Sequence, residues 1–160
     1  MNIEKIMVKQ IALNEAIMKN HNIKNEDCKE KQILALIVEI SELANEIQHF
    51  KYWKKGIVID QEKILEEYSD GIHFYLSFGL DFKISNIVNE HIFSDDITLQ
   101  FLEIYNSIFV FFKEWNIDNF NYSLSLFIGL GKLLIFSDED ITDAYLRKNK
   151  INFNRIKNKY

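Results

Sequence analysis

Glu39-Ile40-Ser41-Glu42 and, further on, Glu67-Tyr68-Ser69-Asp70 decide how this chain is read. Each is a pair of carboxylates three residues apart, set in a segment whose apolar residues recur at helical spacing. On a helix, positions i and i+3 share a face, roughly 5–6 Å apart at Cβ. Two such pairs on facing helices bring four carboxylates together. Like charges that close repel unless cations lie between them. A site made only of oxygen ligands suits a hard divalent ion, Mg²⁺ first and Mn²⁺ second. A lone Glu-x-x-Glu is ordinarily part of a solvated helix face. The second pair, and what flanks both, argue for more than that.

The flanks are helical. The chain has 160 residues, no proline and 5 glycines, and folds built from strands and tight turns need more of both. A hydrophobic content of 48%, with 13 Phe and 7 Tyr, is ample for a core. The expectation is an all-α bundle, one domain over residues 1–160. No run of 18 apolar residues occurs, so no membrane span is expected. Met1-Asn2-Ile3-Glu4-Lys5-Ile6 mixes charges with short apolar steps, unlike a signal peptide. The single cysteine, Cys28, allows no internal disulfide, which fits a reducing cytoplasm, and it reads as a plain helix-start residue. A net charge of −5 argues against a domain that holds nucleic acid by its phosphates.

Along the chain, Ile3 to about Asn20 reads as a first helix, with Gln10 and Asn14 as a polar i, i+4 pair. Asn25 or Asp27 is a candidate cap for the second helix, from about Lys29 to Phe50. Ile33, Leu34, Ile37, Val38, Ile40, Leu43, Ala44 and Ile47 cover more than half of that helix, which implies central burial. Glu39, Glu42 and Glu46 form a narrow acidic stripe along it, and unpaired carboxylates are rarely buried. An aromatic and basic loop follows, Phe50-Lys51-Tyr52-Trp53-Lys54-Lys55-Gly56.

Asp60 caps a third helix, about Gln61 to Leu80, where Glu67, Asp70 and Phe74 share a face with His73 beside it. Ser94 is expected to cap a fourth, Phe-rich helix to about Glu114. A fifth, about Asn119 to Phe136, is apolar nearly all round and needs cover on several sides, as a subunit interface would supply. Gly129 and Gly131 there allow close helix contact. Ser137-Asp138-Glu139-Asp140 resembles a capping box and opens the last helix. On it Tyr145, Lys148, Asn152, Arg155 and Lys159 are spaced to track one face.

A polyanionic substrate bridged by Mg²⁺ would use the acidic cluster and the basic stripe, and a flat base would stack on the aromatic loop. There is no Gly-rich P-loop, no His-Glu-x-x-His and no cysteine cluster, so neither a Walker-type site nor zinc is expected.

Glu39-x-x-Glu42 followed by Glu67-x-x-Asp70 resembles the all-α nucleoside triphosphate pyrophosphohydrolases. The flanks are closer to one branch, the dimeric dUTPases. Glu66-Glu67-Tyr68-Ser69-Asp70-Gly71-Ile72-His73-Phe74 is similar to that branch's third helix. Ala144-Tyr145-Leu146-Arg147-Lys148-Asn149-Lys150-Ile151-Asn152-Phe153-Asn154-Arg155 is similar to its C-terminal segment, the more specific of the two motifs. Trp53, and Gln10 with Asn14, also have counterparts, so the resemblance runs nearly the length of the chain.

The resemblance implies a four-carboxylate metal site between two central helices and the reaction dUTP + H₂O → dUMP + PPi. It implies two or more Mg²⁺ ions, with Mn²⁺ as a substitute, held by Glu39, Glu42, Glu67 and Asp70. Glu39 is the expected base for the attacking water, Glu42 its alternative. Lys148 and Arg155 would meet the phosphates, with Asn152 between them and Tyr145 on the same stripe. Gln10 and Asn14 would read the uracil edge, and Phe74, beside His73, would pack on the deoxyribose. Trp53 and Lys54 would close over base and phosphates. The expected partners are dUTP or dUDP and a second copy of the chain in a cytoplasmic homodimer, with no nucleic acid or membrane. Two other readings stay open: a dCTP-preferring or broad pyrophosphatase, and a non-catalytic helical module that binds a partner through the fourth and fifth helices.

Overall fold

The computed structural model describes residues 1–23, 28–56 and 58–158. Among them lie six helices: α1 (Glu4–His21), α2 (Lys29–Ile47), α3 (Gln61–Phe82), α4 (Ile97–Lys113), α5 (Ile117–Leu133) and α6 (Asp138–Lys157). The described residues form no strand beyond one isolated bridge between Asn2 and Ile87. The all-α expectation holds. No single helix among them is long and apolar enough to cross a membrane.

The helix ends follow from their capping residues. Asp60 accepts a bond from the Lys63 amide at 3.2 Å and opens α3. Ser137 and Asp140 exchange bonds in a full capping box at the start of α6, as the sequence suggests. The cap of α4 is Asp96 rather than Ser94. Its carboxylate accepts from the amides of Thr98 and Leu99, while the Ser94 hydroxyl accepts from the Asp96 amide one step earlier. α2 stops three residues before the expected Phe50, at Gln48, whose left-handed backbone (φ 58°) returns its amide to the Ala44 carbonyl. The expected caps Asn25 and Asp27 lie outside the described residues, as does Lys159.

α3 is the central helix, packed on α1, α2, α5 and α6. Its Tyr68, Ile72, Tyr75, Leu76 and Phe78 are buried. Farther along, Phe78 and Phe82 meet Phe111, Trp115 and Phe120 in an aromatic cluster that joins α3 to the α4–α5 hairpin. Of the α5 glycines, Gly131 meets a helix, α3, as expected, whereas Gly129 meets the loop before α4. A Cβ on Gly131 would stand 2.5 Å from the Tyr68 hydroxyl, and one on Gly129 would collide with the His91 carbonyl.

Two expectations about cover change. Phe120, Leu124, Leu126, Phe127, Ile128 and Leu130 of α5 are all buried within the chain, so no partner is needed to shield that helix. α2 is less central than its composition suggests: Leu34 is 62% and Val38 45% exposed. Beside them, the Ser41 hydroxyl and the Tyr105 hydroxyl of α4 lie 2.9 Å apart, and Leu102 and Phe109 of α4 are exposed as well.

The connection between α3 and α4 is pinned by one fully buried side chain, Gln100. Its amide nitrogen donates to the carbonyls of Leu126 (2.8 Å) and His91 (3.1 Å). Its oxygen accepts from the amides of Phe93 (2.8 Å) and Ser94 (3.3 Å).

Candidate active site

α1, α2, α3 and α6 surround a cavity of about 600 Å³. The packed pair α2 and α3 supplies its acidic wall, because each carboxylate pair falls on the flank of a helix that also reaches the core. Glu39, Glu67 and Asp70 each direct one carboxylate oxygen to a common point, all within 4.8 Å of one another. Three of the four expected carboxylates thus converge. Glu42 lines the same cavity, but is solvent-exposed and outside the trio.

The electrostatics record the crowding. Burial, then the charges of Asp70, Glu42 and Glu67, push the Glu39 carboxyl up to about 7. Burial and Asp70 raise Glu67. Burial also raises Asp70, against the pull of a hydrogen bond from Lys148. Three carboxylates that resist ionising together are suited to a divalent cation, which removes the repulsion.

The basic wall comes from α6. Lys148 Nζ lies 2.6 Å from Asp70 Oδ2 and 3.0 Å from Glu66 Oε1. Burial works against its charge, but these bonds outweigh it and hold the ammonium above its ordinary range. Asn152 and Arg155 line the cavity on successive turns beyond it, with Arg155 Nη1 3.4 Å from Asn152 Oδ1. Lys150, between Lys148 and Asn152 in sequence, faces solvent, as its position on the helix requires.

Opposite lies a chain of polar groups. The Gln10 amide oxygen accepts from the Tyr145 hydroxyl (2.7 Å) and from His73 Nδ1 (2.9 Å). Its amide nitrogen donates to Asn14 Oδ1 (2.7 Å), and Asn14 Nδ2 donates to the Ser77 hydroxyl (2.8 Å). An amide oxygen only accepts, so this network assigns the His73 proton to Nδ1. Burial lowers the His73 pKa to about 4, so the ring is neutral. Gln10, Asn14, His73, Phe74 and Ser77 all line the cavity.

Three expected contacts do not line the cavity. Tyr145 is fully buried behind the wall, stacked on the His73 ring at 4.0 Å, where it orients Gln10 rather than facing the cavity. Trp53 and Lys54 lie beyond the end of α2, away from the cavity. Trp53 is 64% exposed and packs edge-on to Tyr52, and Lys54 donates to Gln48 Oε1 at 2.6 Å. The loop turns outward at Gln48, a backbone reversal with no glycine to announce it.

Two participants went unread in the sequence, Glu66 and Ser77. Glu66 stands four residues before Asp70 and Ser77 seven after it, so both fall near the line of the acidic face. That spacing was the available signal. Ile17, Met18 and Ile156 form an apolar end to the cavity.

A family model described as dUTPase matches residues 2–160. A search of curated proteins returned no match.

Proposed function

Because this chain belongs to the dUTPase family along residues 2–160, dUTP diphosphatase activity follows at family level, and we propose that it is Mg²⁺-dependent and directed at uracil. The observation that carries the proposal is the meeting, in one cavity, of the Glu39–Glu67–Asp70 trio and the Lys148–Asn152–Arg155 face. A triphosphate needs cations to neutralise it, and this cavity offers fixed ones together with ligands for mobile ones. Family membership also sets aside the non-catalytic module.

Glu39, Glu67 and Asp70 would hold Mg²⁺, with Glu42 completing the set. The bound ion supplies charge neutralisation and a water of lowered pKa. The rest falls to the chain. Arg155 and Lys148 neutralise the phosphate oxygens, Arg155 with a fork suited to two of them. Asn152 donates between the two. Glu39 takes the proton of the attacking water, with Glu42, one turn away, as the alternative. Water oxygen bonds to a phosphorus of the α–β phosphoanhydride, that anhydride bond breaks, and the departing phosphate oxygen keeps the electron pair, giving dUMP and pyrophosphate.

Base choice rests on the amide chain. Asn14 Nδ2 is engaged by Ser77, and its Oδ1, which faces Gln10, keeps a second lone pair. An acceptor held there matches the N3–H of uracil and opposes the N3 lone pair of cytosine. Phe74 then packs on the deoxyribose. Trp53 and Lys54 act only if their loop moves toward the cavity.

A homodimer is part of the proposal, through α2 and α4 rather than α5. Leu34 and Val38 on α2 and Leu102 and Phe109 on α4 are exposed apolar side chains, and the Ser41–Tyr105 hydroxyl pair joins the two helices.

Pyrophosphate release from each of dUTP, dCTP, dTTP and dATP, with and without Mg²⁺, tests the reading. Release from dUTP alone, and only with Mg²⁺, is expected. Equal or faster release from dCTP would replace it with a dCTP-preferring or broad enzyme.

A further inference from the structure

Asp70 has two cations to serve. One of its oxygens takes Lys148 at 2.6 Å. The same carboxylate belongs to the trio with Glu39 and Glu67, where the metal reading above, on which this inference rests, places a divalent ion. A monovalent ammonium and a divalent ion on one carboxylate repel each other. Lys148 is well placed to yield. Its side chain is 13% exposed and its flexible four-carbon stem allows the ammonium to move without moving α6. It also has a second anion in hand, Glu66 at 3.0 Å, which is more than half exposed and belongs to no other ion pair among those described.

We propose that Glu66 is a positioning residue for the reaction: it retains Lys148 when a divalent ion claims Asp70, so that metal binding releases the ammonium toward the phosphates without losing it to solvent. Metal and Lys148 then compete for Asp70, and by linkage each weakens the other's hold on it. The order of events follows. Without the ion Lys148 is occupied by Asp70, and with it the phosphate-binding cation is freed beside the trio. The plainer alternative is a fixed bridge from α6 to α3, with the ion added alongside.

The two are separated by titrating the nucleotide-free protein with Mn²⁺ and reading free ion by electron paramagnetic resonance. Four proteins are compared: wild type, Lys148→Met, Glu66→Gln and the double variant. Competition predicts that Lys148→Met binds Mn²⁺ about tenfold tighter, within the usual range of coupling between sites. Glu66→Gln should bind it several-fold more weakly, because Lys148 then has only Asp70. In the double variant the Glu66 effect should vanish, since Glu66 acts through Lys148. Unchanged affinity in Lys148→Met overturns the proposal. So does an equal loss from Glu66→Gln in both backgrounds, which would be long-range charge alone. Thermal unfolding with and without Mn²⁺ checks that each variant folds. Should Lys148→Met not fold, Lys148→Gln takes its place in the cycle with the same expectation. A wild type that binds no Mn²⁺ removes the metal reading and this proposal together, whereas binding that ignores Lys148 removes only the proposal.

Discussion

Glu39 is half buried beside other carboxylates, and its protonation links the site to the stability of the fold. Its carboxyl rises from an ordinary 4.5 to about 7, first through burial and then through Asp70, Glu42 and Glu67. The folded chain therefore binds a proton that the unfolded chain has released between those values. Stability from this group falls as pH rises from about 4.5 to 7 and stays low above 7. His73 runs the other way. Burial lowers it from 6.5 to about 4, so its contribution is complete above 6.5 and lost as pH falls toward 4. A comparison of wild type with Glu39→Gln cancels the histidine. In metal-free buffer at pH 8 the variant should be more stable by ~1–2 kcal/mol, a figure discounted for the water that reaches this half-buried group. The gain should fade as pH approaches 4.5. Urea unfolding of both proteins across that range checks it. The same variant should lose nearly all dUTP hydrolysis, which separates its role at the site from its effect on the fold.

The helix α6 carries its function as a stripe, and a stripe is tested by residues on and off it. Arg155 lines the cavity and Lys150 faces solvent. Truncating a desolvated charged contact costs on the order of 2–5 kcal/mol, so Arg155→Ala should lower kcat/KM for dUTP about 30-fold or more. Lys150→Ala should leave it near wild type. Equal, small effects would return the stripe to ordinary surface charge. Regular elements of this kind were legible in the sequence, because helical period places residues without knowledge of the fold. The acidic pairs on α2 and α3, the basic face of α6 and the capping box of Ser137 all follow from spacing alone. What was not legible depends on tertiary neighbours. Tyr145 shares the stripe of Lys148, yet α1 and α3 close over it and leave it to orient Gln10. Glu42 repeats the spacing of Glu39, yet only Glu39 reaches the trio. Trp53 and Lys54 sit in a loop whose direction is set by the left-handed backbone at Gln48. The cover of α5 is beyond the sequence for the same reason: an apolar circumference says that burial occurs, not whose atoms supply it.

Where α2 meets α4, several apolar side chains are exposed together. A face holding Leu34, Val38, Leu102 and Phe109 is larger than scattered surface hydrophobics require and has the makings of a two-fold contact. Light scattering at micromolar concentration should give twice the 19.1 kDa chain mass. Val38→Glu combined with Phe109→Glu should halve that mass without unfolding the chain, since neither side chain enters its core. A wild type of single-chain mass would dismiss the dimer. Elsewhere the side chain of Gln100 ties the α3–α4 connection to the bundle. Four backbone partners depend on it, two donors at Phe93 and Ser94 and two acceptors at His91 and Leu126. A surface connection ordinarily breathes by itself, and its amides trade hydrogen for deuterium within moments. Here Phe93 and Ser94 cannot open without freeing a fully buried amide beneath α5. Their exchange should therefore be as slow as that of the interior of α5, and both should quicken together when Gln100→Ala removes the tie. The seam between the two ends of the bundle would then keep time with its core.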